Sequence, residues 1–131
     1  MANKRRRGTA IVDTPKGILV VSHNNRTFYL PGGGAEEGET RKDAVVRELK
    51  EETGLSTEDC EFLFEYDSFT NIHKVFLVES VGAPKPCHEI HYIDYFTGSN
   101  LKVSNATWEI LELYHKVKPS KKLSQETNVN S

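Results

Sequence analysis

The sequence predicts an α+β domain, and three observations carry that expectation. Short runs rich in β-branched and aromatic residues recur along the chain, bounded by Gly, Pro and Asn. The stretch Thr40 to Thr53 has helical periodicity, with a start signal and a stop signal at its ends. A second helical stripe begins at Ser104. At 131 residues the chain has the size of one domain. A domain of that size withdraws roughly two thirds of its unfolded surface from water, enough for a core without disulfides or a structural metal.

Taken in order, Gly8 to Asp13 and Gly17 to Ser22 read as strands around the turn Thr14-Pro15-Lys16. Thr27 to Leu30 is a third apolar run. It stops at Pro31-Gly32-Gly33-Gly34, expected to be a loop because consecutive glycines admit backbone conformations closed to other residues. Thr40 can cap a helix with Asp43 three residues on, and Gly54 stands where that helix should stop. Cys60 to Phe69 and Lys74 to Glu79 read as a hairpin turning near Asn71. Val81 to Pro86 is a loop, and His88 to Phe96 alternates as a strand that would carry Glu89. In the second helix Trp108, Leu111 and His115 form a stripe widened by Ile110, Leu113 and Tyr114. Beyond Lys118-Pro119 the chain is polar and expected to be flexible, giving one domain over 1–117 and a tail over 118–131.

Seventeen basic and 19 acidic residues give a net charge of -2 and a pI near 6.2. That argues against bulk electrostatic binding of nucleic acid, which usually goes with a pI above about 9. No apolar run of signal-peptide or membrane-spanning length appears, so the expected setting is cytoplasmic with no membrane partner. Cys60 and Cys87 lack the spacing of a zinc site and are expected to be reduced. Lys4 to Arg7 reads as a solvated terminal arm.

The helix over 40–53 carries the chemistry. At about 100° per residue, Glu48 at zero puts Glu51 at about 300° and Glu52 at about 40°, so the three carboxylates share one arc. Val45, Val46, Leu49 and Thr53 fall between about 60° and 160°, which sets the apolar stripe beside the acidic one. Like charges at these spacings destabilise a helix by a few tenths of a kcal/mol per pair. A hard divalent cation, which takes oxygen ligands, would offset that repulsion. An E-x-x-E-E on a helix is ordinarily a solvated face. Here a glycine-rich loop and Glu36, Glu37 and Glu39 precede it, which suggests metal-assisted phosphate chemistry instead.

Gly33, five residues, Glu39, seven residues, Arg47-Glu48-Leu49, one residue, Glu51-Glu52, one residue and Gly54-Leu55 resembles the signature of the Nudix hydrolases at every defined position. Leu30-Pro31-Gly32 just upstream resembles that family too. The resemblance implies an α/β/α sandwich with a mixed β-sheet and two main helices. It also implies a Mg²⁺- or Mn²⁺-dependent pyrophosphohydrolase cleaving a phosphoanhydride of a nucleoside diphosphate linked to X, by water attack on phosphorus. Carried over by position, Glu51 and Glu52 are implied metal ligands, Glu48 a further ligand or the general base, and the Gly33 carbonyl another metal contact. Arg47 is implied to orient the site through Glu39.

Outside that signature, the resemblance implies one more acid from a downstream loop or strand, for which Glu89 is the candidate ligand or base, with Glu79 and Asp94 behind it, and an ordinary strand acid is the competing reading. The family markers for ADP-ribose and dinucleoside polyphosphate hydrolases are absent from the window Thr70 to His73. Short one-domain members of that family are frequently nucleoside triphosphate pyrophosphatases, so the resemblance implies a (deoxy)nucleoside triphosphate or related nucleotide as the substrate. Arg7 and Arg26 are candidate phosphate contacts. Phe28, Tyr66 and Tyr92, with Tyr29 and Phe69, are candidate stacking surfaces for a base, although aromatics in strands are more often core. A monomer or homodimer is expected. Two other readings are a catalytically silent domain that senses a nucleotide and an enzyme that processes RNA 5′ ends.

Overall fold

The computed structural model describes residues 4–130, with side chains described over 4–117. The elements are β1 (Arg5–Ile11), β2 (Asp13–Thr14), β3 (Gly17–Ser22), β4 (Gly32–Gly34), α1 (Arg41–Thr53), β5 (Ser56–Asp67), β6 (Asn71–Val81), β7 (Tyr92–Phe96) and α2 (Asn105–Asn130). Four strands form a mixed sheet in the order β4-β1-β6-β5, with β1 parallel to β6 and antiparallel to β4. A second sheet, β2-β3-β7, is antiparallel.

Alternation along the strands places residues on two faces, and both faces are buried. Ala10 and Val12, Leu19, and Phe76 and Val78 join Val45, Leu49 and Leu55 in one cluster on the α1 side. Their neighbours Ile11, Ile18, Val20 and Val75 join Phe28, Leu30, Ile110, Leu111 and Tyr114 in a second cluster on the α2 side. The result is the helix, sheet and helix sandwich with a mixed sheet that the sequence suggested. Val45 and Leu49 are fully buried, and each such side chain contributes about 2 kcal/mol of apolar burial. Helix α1 comes within backbone contact of β1 because position 8 is glycine: a Cβ there would overlap the Arg41 carbonyl and the Val45 side chain.

The caps of α1 match the sequence reading. Thr40 Oγ1 accepts from the Asp43 N–H at 3.0 Å, Asp43 accepts from the Thr40 N–H at 3.1 Å, and Gly54 closes the helix at φ 75°. Ser104 caps α2, accepting from the Thr107 N–H at 3.2 Å.

Several elements differ from expectation. Thr27 to Leu30 forms isolated bridges at Phe28 and Tyr29, because the turn around Ser22 and Asn24 and the following Pro31 leave it no room for a ladder. Gly32–Gly34 is strand β4, where bare backbone lies close against Gly8 and Thr9 of β1. The strand expected from His88 begins only at Tyr92: His88 adopts a left-handed φ of 54°, which interrupts extended structure, and Glu89 sits in a turn. The basic run is not an arm, since Arg5, Arg6 and Arg7 pair with Asn71, Ile72 and His73 of β6. Val46 is 40% exposed and Ala44 is buried in its stead. The tail expected over 118–131 falls where side chains lie outside the described residues. Among the described residues no helix is long and apolar enough to cross a membrane.

Candidate active site

The exchange of Val46 for Ala44 changes the electrostatics of α1. With Glu48 at zero on the wheel, Ala44 lies at about 320° and Thr53 at about 140°. The buried arc therefore straddles Glu48 and Glu52 instead of running beside them. Burial, reinforced by the neighbouring Glu51, pushes the Glu48 carboxyl up to about 7 against the pull of Arg47. Burial likewise pushes Glu52 up to about 7, opposed by the Gly32 N–H and Arg7. Glu51 is the exposed member of the three.

Strand β4 supplies the floor. The Gly32 N–H donates to Glu52 Oε1 at 3.0 Å. A Cβ on Gly33 would fall on the Glu48 carboxylate, so only a glycine lets that group lie against the backbone. Arg47 organises the rim: it forks onto Glu39 at 2.8 and 2.9 Å, and donates to Glu48 at 2.9 Å, Glu51 at 3.3 Å and the Gly34 carbonyl at 3.2 Å. The fork holds Glu39 down at about 2, and the surrounding carboxylates hold the Arg47 pKa above its ordinary value.

Glu48, Glu51 and Glu52 line one cavity of about 480 Å³ together with Gly33, Glu89, Arg5 and Arg7. Glu89 reaches it from a turn rather than a strand. His23 and Tyr29 hold that turn. The Glu89 carbonyl can only accept, so His23 Nδ1–H donates to it at 2.9 Å, and Tyr29 O–H donates to His23 Nε2 at 2.6 Å. Burial and Glu52 push the Tyr29 hydroxyl up to about 12. The Arg7 guanidinium donates to Thr9 Oγ1 at 3.1 Å and to the Leu30 carbonyl at 2.9 Å, and burial lowers its pKa.

Other candidates lie elsewhere. Phe28 is in the core at 2% exposure and has no face for a base. Tyr66 is bonded through its hydroxyl to Glu109. Tyr92 pairs with Ser22 on β7, and Arg26 is exposed in the turn after β3. Glu79 pairs with Asp59 on β6, and Asp94 pairs with Val20 on β7. Sequence reasoning missed Arg5 and His23. Arg5 had a signal, because residues two apart on a strand share a face, and reading the basic run as an arm hid it. Nothing local to His23 marks it.

The donor set is oxygen only, from carboxylates beside the Gly33 backbone, and two of the acids sit where burial disfavours their charge. That chemistry fits a hard divalent cation. Among the described residues no three Asp, Glu, His or Cys side chains already converge on one point; Arg47 holds Glu48 and Glu51, and Gly32 holds Glu52.

Known proteins agree with the geometry. ADP-ribose pyrophosphatase of Methanocaldococcus jannaschii is 34% identical over 102 residues, covering 70% of this chain, which spans about 60% of that relative's length. RNA pyrophosphohydrolase of Hydrogenovibrio crunogenus is 39% identical over 57 residues, 36% of this chain and 34% of that protein. A crystal structure from Chromobacterium violaceum assigned to the nudix hydrolase family superposes with a TM-score of 0.86 at 32% identity, covering 98% of this chain and 92% of the other. Proteins of this family generally use divalent metal ions. With the NUDIX domain model matching residues 3–120, the chain belongs to the NUDIX hydrolase family.

Proposed function

We propose that this chain is a Mg²⁺- or Mn²⁺-dependent pyrophosphohydrolase that cleaves a phosphoanhydride of a nucleoside diphosphate linked to X, with a (deoxy)nucleoside triphosphate as the substrate class. The observation that carries the reading is the single cavity in which Glu48, Glu51, Glu52 and Glu89 face Arg5 and Arg7. Acids alone would repel a phosphate chain, and cations alone would bind it without activating water. Both together suit attack on phosphorus.

Glu51, Glu52, Glu48 and the Gly33 carbonyl would hold the divalent ion, which supplies charge neutralisation at phosphate oxygens and a lowered pKa for water. Arg5 and Arg7 bring fixed positive charge to the phosphate chain. Glu48 or Glu89 takes the proton from the attacking water on a carboxylate oxygen. Arg47 keeps Glu48 aimed while Glu39 keeps Arg47 in place. The His23 and Tyr29 strut fixes the turn from which Glu89 enters. The same reading sets the enzyme in the cytoplasm as a monomer or homodimer, with no nucleic acid or membrane partner.

The test is phosphate or pyrophosphate release from nucleoside triphosphates, nucleotide sugars, dinucleoside polyphosphates and 5′-triphosphate RNA, with Mg²⁺ and with Mn²⁺. Turnover of the triphosphates is expected. No turnover of any substrate alongside tight nucleotide binding would make the domain a sensor, and turnover of the RNA alone would make it an RNA-end enzyme.

A further inference from the structure

The turn that carries Glu89 into the acidic cavity also carries His88, which lines the same space. The Ile90 N–H donates to the Cys87 carbonyl at 3.0 Å, closing a β-turn with His88 and Glu89 as its central residues. Among the described residues only Asn25 and His88 combine a side chain with a left-handed φ, at 61° and 54°. Positive φ at the first central position of a turn, and not at the second, is the arrangement that glycine dominates. Histidine holds this position at a steric cost that glycine would avoid.

The turn is fixed from both sides, so that conformation is imposed on it. Before the turn, the Lys85 N–H donates to the Thr53 carbonyl at 3.0 Å and the Cys87 N–H to the Glu52 carbonyl at 3.1 Å, which hangs the segment on the end of α1. After it, Ile90 is buried and the His91 N–H donates to the Ser22 carbonyl at 3.2 Å. Residues held off their preferred backbone conformation persist where the surroundings over-determine them, and they gather at sites that bind or react. The side chain placed in this way is uncommitted: neither ring nitrogen of His88 has a hydrogen-bond partner among the described residues. His23, which lines the same cavity, uses both of its nitrogens, on the Glu89 carbonyl and on Tyr29.

We propose that His88 is a substrate-contacting residue, whose imidazole N–H donates to a non-bridging oxygen of the phosphate chain from the turn while Arg5 and Arg7 act from β1. The proposal rests on the pyrophosphohydrolase reading above. An imidazole offers one N–H when neutral and two when ionised, so the contact holds in either state, and with both nitrogens open either tautomer can present the hydrogen. Ionised carboxylates can only accept, so phosphate oxygens among them need donors from elsewhere. A further guanidinium would fork onto those carboxylates and compete with the divalent ion for them. An imidazole supplies the donor without that planar fork. If His88 did no more than close the turn, glycine or asparagine would replace it without loss of function.

The test uses His88→Asn, which tolerates a left-handed φ but carries a shorter side chain, and His88→Gly, which removes both the side chain and the backbone cost. The glycine variant should melt at or above the wild-type temperature. Each should lose about tenfold or more in kcat/KM for a nucleoside triphosphate with Mg²⁺, the factor expected for one hydrogen bond to a charged group. If one variant does not fold, the other carries the comparison. Placed in a Glu89→Gln background, the substitutions should cost the same factor, because a contact with phosphate does not depend on the neighbouring acid. Loss of the effect in that background would make His88 a positioning residue for Glu89 and overturn the proposal, as would wild-type kinetics in the folded variants. Calorimetric binding of an α,β-methylene nucleoside triphosphate with Mg²⁺ reads the same contact without turnover. If no nucleotide is cleaved, the activity reading fails by itself and this binding decides: about tenfold weaker binding by His88→Asn supports the contact, and equal binding by both proteins, or none by the wild type, overturns it.

Discussion

The carboxylate of Glu48 occupies the space in which a Cβ on Gly33 would lie. The backbone of Gly33 has no left-handed φ, so alanine meets no conformational barrier there, and the clash is with the movable end of a side chain. Gly33→Ala should therefore fold with a melting temperature near that of the wild type and lose about 10²-fold in kcat, the usual consequence of misplacing a reacting group by about 1 Å. Steady-state kinetics beside thermal unfolding check it, and full activity in a folded variant would contradict the role given to this contact.

Arg47 and Glu39 should behave as a coupled pair. The fork at 2.8 and 2.9 Å is planar recognition that lysine cannot reproduce. In a double-mutant cycle with Arg47→Lys and Glu39→Gln, urea unfolding should give non-additive effects, the double variant losing less than the two single losses together. Both single variants should also lose activity, since each frees Glu48. Additive effects would show that the fork is only a surface ion pair.

Much of this site was legible in the sequence because it is local. Arg47, Glu48, Glu51 and Glu52 are fixed by helical spacing, and Thr40, Asp43 and Gly54 mark the ends of the helix that carries them. Legibility stopped where tertiary contacts decide. Val46 fits the apolar stripe by spacing alone, but Ala44 is the residue that is buried, and this puts Glu48 and Glu52 inside the buried arc. Glu89 was picked out by its chemistry and misplaced by its pattern, because a left-handed His88 turns an alternating run into a bend. Arg5 and His23 reach the cavity only through strand pairing and a long-range bond to Glu89, and neither is encoded in a short window.

Stability should depend on pH through His73. It is 5% exposed, and burial followed by the charge of Arg7 holds its pKa at about 4 against 6.5. Between those values the unfolded chain takes up a proton that the native one refuses, so stability rises with pH across the window. It is complete above about pH 6.5 and declines towards pH 4, by up to about 3 kcal/mol. Urea unfolding of wild type and His73→Gln from pH 7.5 to 5 should show a steeper decline in the wild type. Parallel curves would contradict it.

Charge removal on α1 should separate chemistry from folding. Glu51→Gln relieves like-charge repulsion with Glu48 worth a few tenths of a kcal/mol, so its melting temperature should equal or exceed that of the wild type while activity falls. A destabilised Glu51→Gln would mean that the acid supports the helix instead.

The most direct measurement is nucleoside triphosphate hydrolysis with Mg²⁺ or Mn²⁺ by wild type and Glu52→Gln, each shown to be folded by its thermal transition. Glu52 is the signature acid tied to the Gly32 N–H at 3.0 Å on the floor of the cavity. The expected result is metal-dependent turnover by the wild type and a loss of about 10²-fold or more in the variant. Equal turnover by the two folded proteins, or none by the wild type with either metal, would contradict the assignment of this cavity as a phosphoanhydride-cleaving site.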